Sequence, residues 1–329
     1  KKKSVFGTDY LKQVFEAMTG KLVFTHYTIE EECEIGMTFE LMNSRGKGLS
    51  VLELLKNYFM HWISRNAEIF ELSDMTKHVN SSWSDVYKSI GKGSGTEAQC
   101  LRIAWTLYCH HLPKNWKGYE GFKSNSYLPL RGLSKERKEE AKKFLENFTD
   151  TLATIAKHYT SIVSPASDKN LSKDEKLWLN KIHSSGNLAN FLPLMVAAKI
   201  AYESGVVKDN EYIDLLKALE CFSYRVFLHA GKRSNAGKSK FYRWGKELHD
   251  NALSIKEITV QIHALIRYYA PEEQFEDQMG KSFNWYGRKN LLKYTLFEYE
   301  QYLLKTEGKG ATPEISWSAL AKDSTLEHI

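Results

Sequence analysis

The strongest constraint on the fold is a series of long segments with helical periodicity, several of which begin with a capping-box pair. In a capping box, a serine or threonine accepts a hydrogen bond from the backbone three residues on, and a glutamate there returns one. Such pairs precede periodic apolar segments at Thr28–Glu31, Ser50–Glu53, Ser172–Glu175 and Ser254–Glu257. The sequence therefore predicts a mainly α protein, a helical array.

Composition agrees with this prediction. The 329 residues include only 6 prolines and 20 glycines, which argues against a loop-rich β architecture, and the 42% hydrophobic content suffices for one large core or two smaller ones. The best strand candidate is Lys21–Tyr27, where apolar and polar residues alternate. With the helix that follows it, this strand would end an α/β domain, so we expect a small α/β remnant at the N-terminus.

Charge and cysteine usage narrow the class of protein. The net charge of +6 is compatible with binding nucleic acid without being diagnostic of it. The four cysteines show no C-x-x-C spacing, so neither a zinc ribbon nor a redox motif is supported, and a reduced cytoplasmic compartment is the simplest interpretation. No apolar run approaches transmembrane length, and we expect no membrane partner.

The turn from Asn43 to Gly48 is a candidate anion site. Arg45 and Lys47 supply positive charge, and the glycines on either side of Lys47 permit left-handed backbone angles and close approach. The helix that begins after Ser50 points its N-terminal amides toward the same region. A helix corner with solvated charges would explain the same residues, and the chemistry alone favours that more ordinary interpretation.

The residues around this turn resemble the signature of the GmrSD-like modification-dependent restriction proteins. The matching positions are Phe39, Asn43-Ser44-Arg45-Gly46-Lys47, Leu49-Ser50 and Leu54-x-Lys56-Asn57. In that family a ParB/sulfiredoxin-like domain that hydrolyses a nucleoside triphosphate precedes a helical region and an HNH nuclease domain. The resemblance implies a nucleotide-binding or interface role for Asn43, Arg45 and Lys47. The family's D-G-Q-Q-R-type hydrolysis motif is absent, so we expect this chain to be the central portion of a longer protein.

The C-terminus resembles the opening of the family's HNH domain. The matching residues are Lys293-Tyr294-x-Leu296, Glu298, Glu300, Trp317 and Leu326-Glu327-His328-Ile329. By that resemblance Glu327 would bind a divalent metal, Mg²⁺, and His328 would be the catalytic general base that activates water against a phosphodiester. The other asparagine and histidine of such a site are not in this chain, and a frayed terminus is the alternative. The implied domains are 1–66 (end of the nucleotide-hydrolysing domain), 67–280 (helical middle) and 281–329 (start of the nuclease domain).

A basic segment, Tyr224–Lys246, is the candidate nucleic-acid interface. Its candidate contacts are Lys232, Arg233, Lys238, Lys240 and Arg243. Phe241, Tyr242 and Trp244 are interleaved with them, a pattern that suits a nucleic-acid backbone and unstacked bases. A solvated loop between two helices is the alternative.

Two other features of this segment have more ordinary interpretations. Arg225 lies in an apolar stretch, and we expect it to form a structural ion pair. Gly231–Ser239 is one residue too long for a Walker-type phosphate loop and has no preceding strand, so we do not expect that loop.

Two functional hypotheses follow from these observations. In the first, the chain is the central portion of a nucleotide-dependent DNA endonuclease of an anti-phage restriction system, acting on DNA with a homo-oligomeric partner or a second defence subunit. In the second, it is a non-catalytic helical module that binds nucleic acid or a partner protein through residues 224–246. Whether the chain alone is an enzyme stays open, because neither active site would be complete within it.

Overall fold

The computed structural model describes residues 8–23, 48–69, 72–91, 94–110, 112, 116–123, 128, 134–279, 284–285, 287–306, 317 and 320. The α-helices within these ranges are α1 (Thr8–Gly20), α2 (Val51–Arg65), α3 (Leu72–Ile90), α4 (Ser94–Tyr108), α5 (Lys135–Val163), α6 (Lys173–Ser185), α7 (Leu192–Glu203), α8 (Asp209–Phe222), α9 (Lys238–His249), α10 (Ile255–Tyr269), α11 (Glu272–Met279) and α12 (Lys289–Thr306). A π-helical segment, Ser223–His229, continues α8. The prediction of a mainly α helical array is confirmed.

The predicted α/β remnant has no counterpart in the described residues, which contain no β-strand. Within the predicted strand, Lys21 lies in a turn and Leu22 and Val23 have no regular structure. Residues 24–27 of that prediction, and the Thr28–Glu31 capping pair, lie outside the described ranges. Helix α1 buries none of its residues against the described part of the chain.

The predicted helix starts are mostly correct. Ser50 and Ser254 form complete capping boxes with Glu53 and Glu257, so both predictions are confirmed. At α6 the prediction is half wrong. The Ser172 hydroxyl accepts from the backbone N–H three residues on, but the Glu175 side chain turns into the core instead of returning a bond.

One hydrophobic core extends from Leu52 in α2 to Ala270 after α10. In its first part, the Phe59 ring makes edge contacts with Trp83, Phe122 and Phe148, at centroid distances of 5.6, 5.9 and 5.8 Å. Such aromatic pairs favour an edge-to-face geometry. The core joins α2 to α5 with the later helices. The predicted domain boundaries at residues 66 and 280 stay predictions.

Helix α7 is the centre of the second part of the core. Its residues 192–199 are all buried, as expected for a segment that is apolar on nearly all sides. It packs against α4, α5, α8 and α9. Its approach to α9 depends on Gly245, because a Cβ there would lie 2.9 Å from backbone atoms of Pro193 and Leu194. None of the helices in the described ranges is long and apolar enough to cross a membrane.

Candidate functional site

The predicted basic segment forms an ordered turn between the π-helical segment and α9. Backbone bonds from Ala236 N to Arg233 O (2.9 Å) and from Lys238 N to Asn235 O (3.2 Å) shape the turn. The Asn190 side-chain amide, before α7, donates to the Ser234 carbonyl. Gly237 has a φ of 74°, a left-handed angle that a residue with a Cβ adopts only under strain. The turn is therefore held at both ends and against α7.

Four of the five predicted contacts are exposed on this turn and on the outer face of α9, namely Lys232, Arg233, Lys240 and Arg243. We call these four residues the basic surface. Arg243 Nε lies 3.5 Å from Glu247 Oε1, a pair that solvent screens. Among the described residues, no carboxylate lies within ion-pair distance of the other three. The chain also has no Asp or Glu between Cys221 and Lys246, so their positive charge is not locally neutralised.

Lys238, the fifth predicted contact, has a different environment. Its side chain is half-buried, and its ammonium lies 5.4 Å from the centroid of the Tyr242 ring. Burial lowers the pKa of Lys238, and the positive charge of Arg102 contributes to the same shift. Arg102 belongs to α4, so the structure brings together two cations that the sequence did not relate.

The interleaved aromatics are not available to stack on bases, and that part of the prediction is wrong. Phe241, Tyr242 and Trp244 are all buried. The Phe241 ring makes edge contacts at 4.8 Å with Phe191 and at 4.9 Å with Phe222. These positions lie on the side of the amphipathic helix α9 that packs on α4 and α7, whereas Lys240 and Arg243 lie on the exposed side.

One further expectation for this segment, the ion pair of Arg225, is confirmed. Arg225 forms a structural ion pair, since its Nη1 lies 2.7 Å from Glu272 Oε2 and its Nη2 donates to the Ala270 carbonyl. The Gly231–Ser239 loop follows the π-helical segment, where a Walker-type loop would follow a strand. Arg225 therefore anchors α11 and is not part of the basic surface.

A buried ionic cluster, unrecognised in the sequence, joins α5, α6, α7 and α8. Lys199 Nζ lies 2.6 Å from Glu175 Oε1, and the two side chains are only 4% and 3% exposed. The Tyr212 hydroxyl donates to the same carboxylate at 3.2 Å. Nearby, Glu203 Oε1 lies 3.3 Å from Lys199 Nζ and 3.7 Å from His158 Nδ1. The sequence contained one signal of this cluster, since Lys199 lies within the apolar sequence of α7 and a buried charge requires a partner.

The cluster is structural rather than catalytic. Burial is the main effect on His158 and lowers its pKa to about 4, so the imidazole is neutral at neutral pH. The polar groups of Lys199 and Glu175 are committed to each other and to Tyr212. The arrangement ties helices together and leaves no group in position to act on a substrate.

The residues of the two implied active sites lie outside the described ranges. They are the turn residues Asn43, Arg45 and Lys47 and the C-terminal Glu327 and His328. Within the part of the chain that is described, no group of three or more His, Cys, Asp or Glu side chains could hold a metal ion.

Two other residues of the C-terminal resemblance have packing roles. The Tyr294 hydroxyl donates to Glu220 Oε1 at 2.5 Å, and Glu298 pairs with Lys181 of α6. Both contacts hold α12 against the helical body.

Comparisons with known proteins identify no relative: no family model, curated protein or solved structure matches this chain.

Proposed function

We propose that the helical body binds the phosphate backbone of nucleic acid through the basic surface. The observation that carries this proposal is that no carboxylate of the described residues neutralises Lys232, Arg233 or Lys240. Elsewhere on the protein exposed lysines have acidic neighbours, such as Lys88 with Asp85 and Lys217 with Asp214, both at 2.9 Å. Cations that are free of such partners can displace counterions from a polyphosphate.

The burial of the aromatic side chains defines the mode of binding. With Phe241, Tyr242 and Trp244 in the core, the basic surface offers charge and hydrogen-bond donors but no stacking platform. Contacts to phosphates position a protein on nucleic acid without reading its sequence. We therefore expect binding that tolerates sequence changes and depends strongly on salt.

The resemblance around Asn43–Lys47 supports a more specific setting for this body. In that setting it is the central portion of a cytoplasmic, nucleotide-dependent DNA endonuclease, and it couples a domain that hydrolyses a nucleoside triphosphate to an Mg²⁺-dependent HNH nuclease. This part of the proposal rests on sequence signatures alone. In the intact protein, Arg45→Ala should reduce nucleotide hydrolysis, and His328→Ala should abolish DNA cleavage while sparing DNA binding. Unchanged hydrolysis in Arg45→Ala would remove the support from the turn.

A charge-reversal experiment tests the binding proposal. We expect Lys232→Glu/Arg233→Glu to weaken binding of a fluorescent DNA duplex strongly, as measured by anisotropy at constant ionic strength. The matched control is Lys135→Glu/Arg137→Glu, which makes the same charge change at exposed positions on α5, where Glu136, Glu139 and Glu140 are interleaved. Equal losses in the two variants would show a diffuse effect of net charge, and an unaffected first variant would refute the assignment of the surface.

A further inference from the structure

A cavity of about 270 Å³ lies where the N-terminal turns of three helices meet. Its lining includes Gly95 near the start of α4, Leu192 and Pro193 at the start of α7, and Lys238 at the start of α9. The backbone N–H groups at a helix N-terminus carry partial positive charge. For α7 and α9, no side chain caps these groups. The N-terminal turns of three helices therefore line one half-open cavity.

Two cationic side chains add to this partial positive charge. Arg102 and Lys238 both line the cavity, at 5.8 Å (Cζ) and 5.4 Å (Nζ) from the centroid of the Tyr242 ring. Arg102 Nε is buried and has no hydrogen-bond partner. Among the described residues, no Asp or Glu lines the cavity, and none lies within ion-pair distance of either cation. A buried donor without a partner is costly, and an anion in the cavity would satisfy it.

The size and the remaining lining indicate what kind of anion fits. The volume lies just below the range of about 300–1,000 Å³ that is usual for small-molecule sites, so a small ligand fits better than a polymer. A guanidinium presents paired donors that match two oxygens of a phosphate. The Gln99 carbonyl accepts from the Tyr159 hydroxyl at 3.1 Å, which leaves the Gln99 amide nitrogen to donate. The Trp116 ring also lines the cavity and offers an apolar surface to the group that carries the phosphate.

We propose that this cavity binds the phosphate group of a small ligand, with Arg102 and Lys238 as its charged contacts. The site is distinct from the basic surface, because Arg102 and Lys238 line the cavity and none of the four residues of the basic surface does. Burial is the main cause of the lowered pKa of Lys238, and repulsion by the Arg102 guanidinium adds to it; bound phosphate would offset that repulsion.

Calorimetric titration of the full chain with inorganic phosphate and with adenosine monophosphate, at constant ionic strength, tests this proposal. We expect saturable binding to a single site, weakened about tenfold or more by Arg102→Gln and by Lys238→Gln, because each removes a charge-assisted hydrogen bond. The control is Lys135→Gln, which removes the same charge at an exposed position on α5 and should leave the affinity unchanged. Tighter binding of the nucleotide would indicate a nucleotide ligand, and equal binding would indicate recognition of phosphate alone.

Two outcomes would overturn the proposal. One is the absence of saturable binding for both probes, and the other is a loss in Lys135→Gln as large as that in Lys238→Gln. If either cavity variant fails to fold, lysine methylation of the wild-type protein, followed by mass spectrometry, replaces it. Phosphate should then protect Lys238 and not Lys135, and equal protection would refute the site. Lys232→Glu/Arg233→Glu should leave phosphate affinity intact, so failure of the nucleic-acid proposal is distinguishable from failure of this one.

Discussion

Replacing Lys199 with methionine tests whether the buried ion pair holds α6, α7 and α8 together. The side chains of Lys199 and Glu175 are 4% and 3% exposed, with 2.6 Å between Nζ and Oε1. Without the lysine, the Tyr212 hydroxyl is the one remaining hydrogen-bond partner of the Glu175 carboxylate among the described residues. Leaving one charge of a buried pair uncompensated lowers the free energy of unfolding by about 3–5 kcal/mol. Methionine largely preserves the side-chain volume, so the loss reports charge rather than a cavity.

Urea-induced unfolding at neutral pH, followed by tryptophan fluorescence, measures this effect in a double-mutant cycle. We expect a smaller loss for Glu175→Gln than for Lys199→Met, because Glu203, 3.3 Å from the ammonium, still compensates the lysine. The double variant should lose less than the sum of the single losses, with a coupling free energy above about 1 kcal/mol. Additive losses, or a loss below about 1 kcal/mol for Lys199→Met, would refute the role assigned to the pair.

Two other predictions concern pH and packing. Burial lowers the pKa of His158 to about 4, below the value of about 6.5 for an unperturbed imidazole. As the pH falls, the imidazole is therefore protonated in the unfolded chain before it is protonated in the folded protein. The neutral imidazole thus stabilises the fold fully above about pH 6.5, and about 3 kcal/mol of unfolding free energy is lost as the pH falls toward 4. His158→Gln should flatten this part of the profile of unfolding free energy against pH. An unchanged profile would contradict the assignment. Gly245→Ala should destabilise the protein by about 1–3 kcal/mol in urea, because its Cβ would lie 2.9 Å from backbone atoms of Pro193 and Leu194. Gly95→Ala, whose Cβ meets nothing within 4 Å, is the control, and equal effects would refute the close approach of α7 and α9.

Local patterns in the sequence predicted those parts of the fold that depend on local interactions. The Ser50–Glu53 and Ser254–Glu257 boxes are correct because both partners lie within one helical turn. The same pattern at Ser172 gave a wrong prediction, because the Glu175 side chain pairs with Lys199 instead of with the backbone N–H of Ser172. Lys199 is 24 positions away in the sequence, so a local pattern cannot identify this tertiary contact.

In the candidate site, too, the sequence predicted local features but not the tertiary contacts. The excess of positive charge between Lys232 and Arg243 is visible in the sequence, and four of the five predicted contacts are exposed. Which side of α9 faces the core depends on its packing against α4 and α7, so the aromatic residues were wrongly assigned to the ligand. The cavity could not be predicted, because Arg102 and Lys238 are brought together only when α4, α7 and α9 pack.

The salt dependence of DNA binding tests the central claim most directly. Each phosphate contact on B-DNA contributes about −0.9 to the slope of log K against log salt, so engagement of all four residues of the basic surface predicts a slope of about −3.6. Anisotropy titrations between about 50 and 200 mM salt would measure it for the wild type and for Lys232→Glu/Arg233→Glu. We expect the slope of the variant to be smaller in magnitude by about 1.8. A slope near zero in the wild type, or an identical slope in the variant, would contradict phosphate binding through this surface.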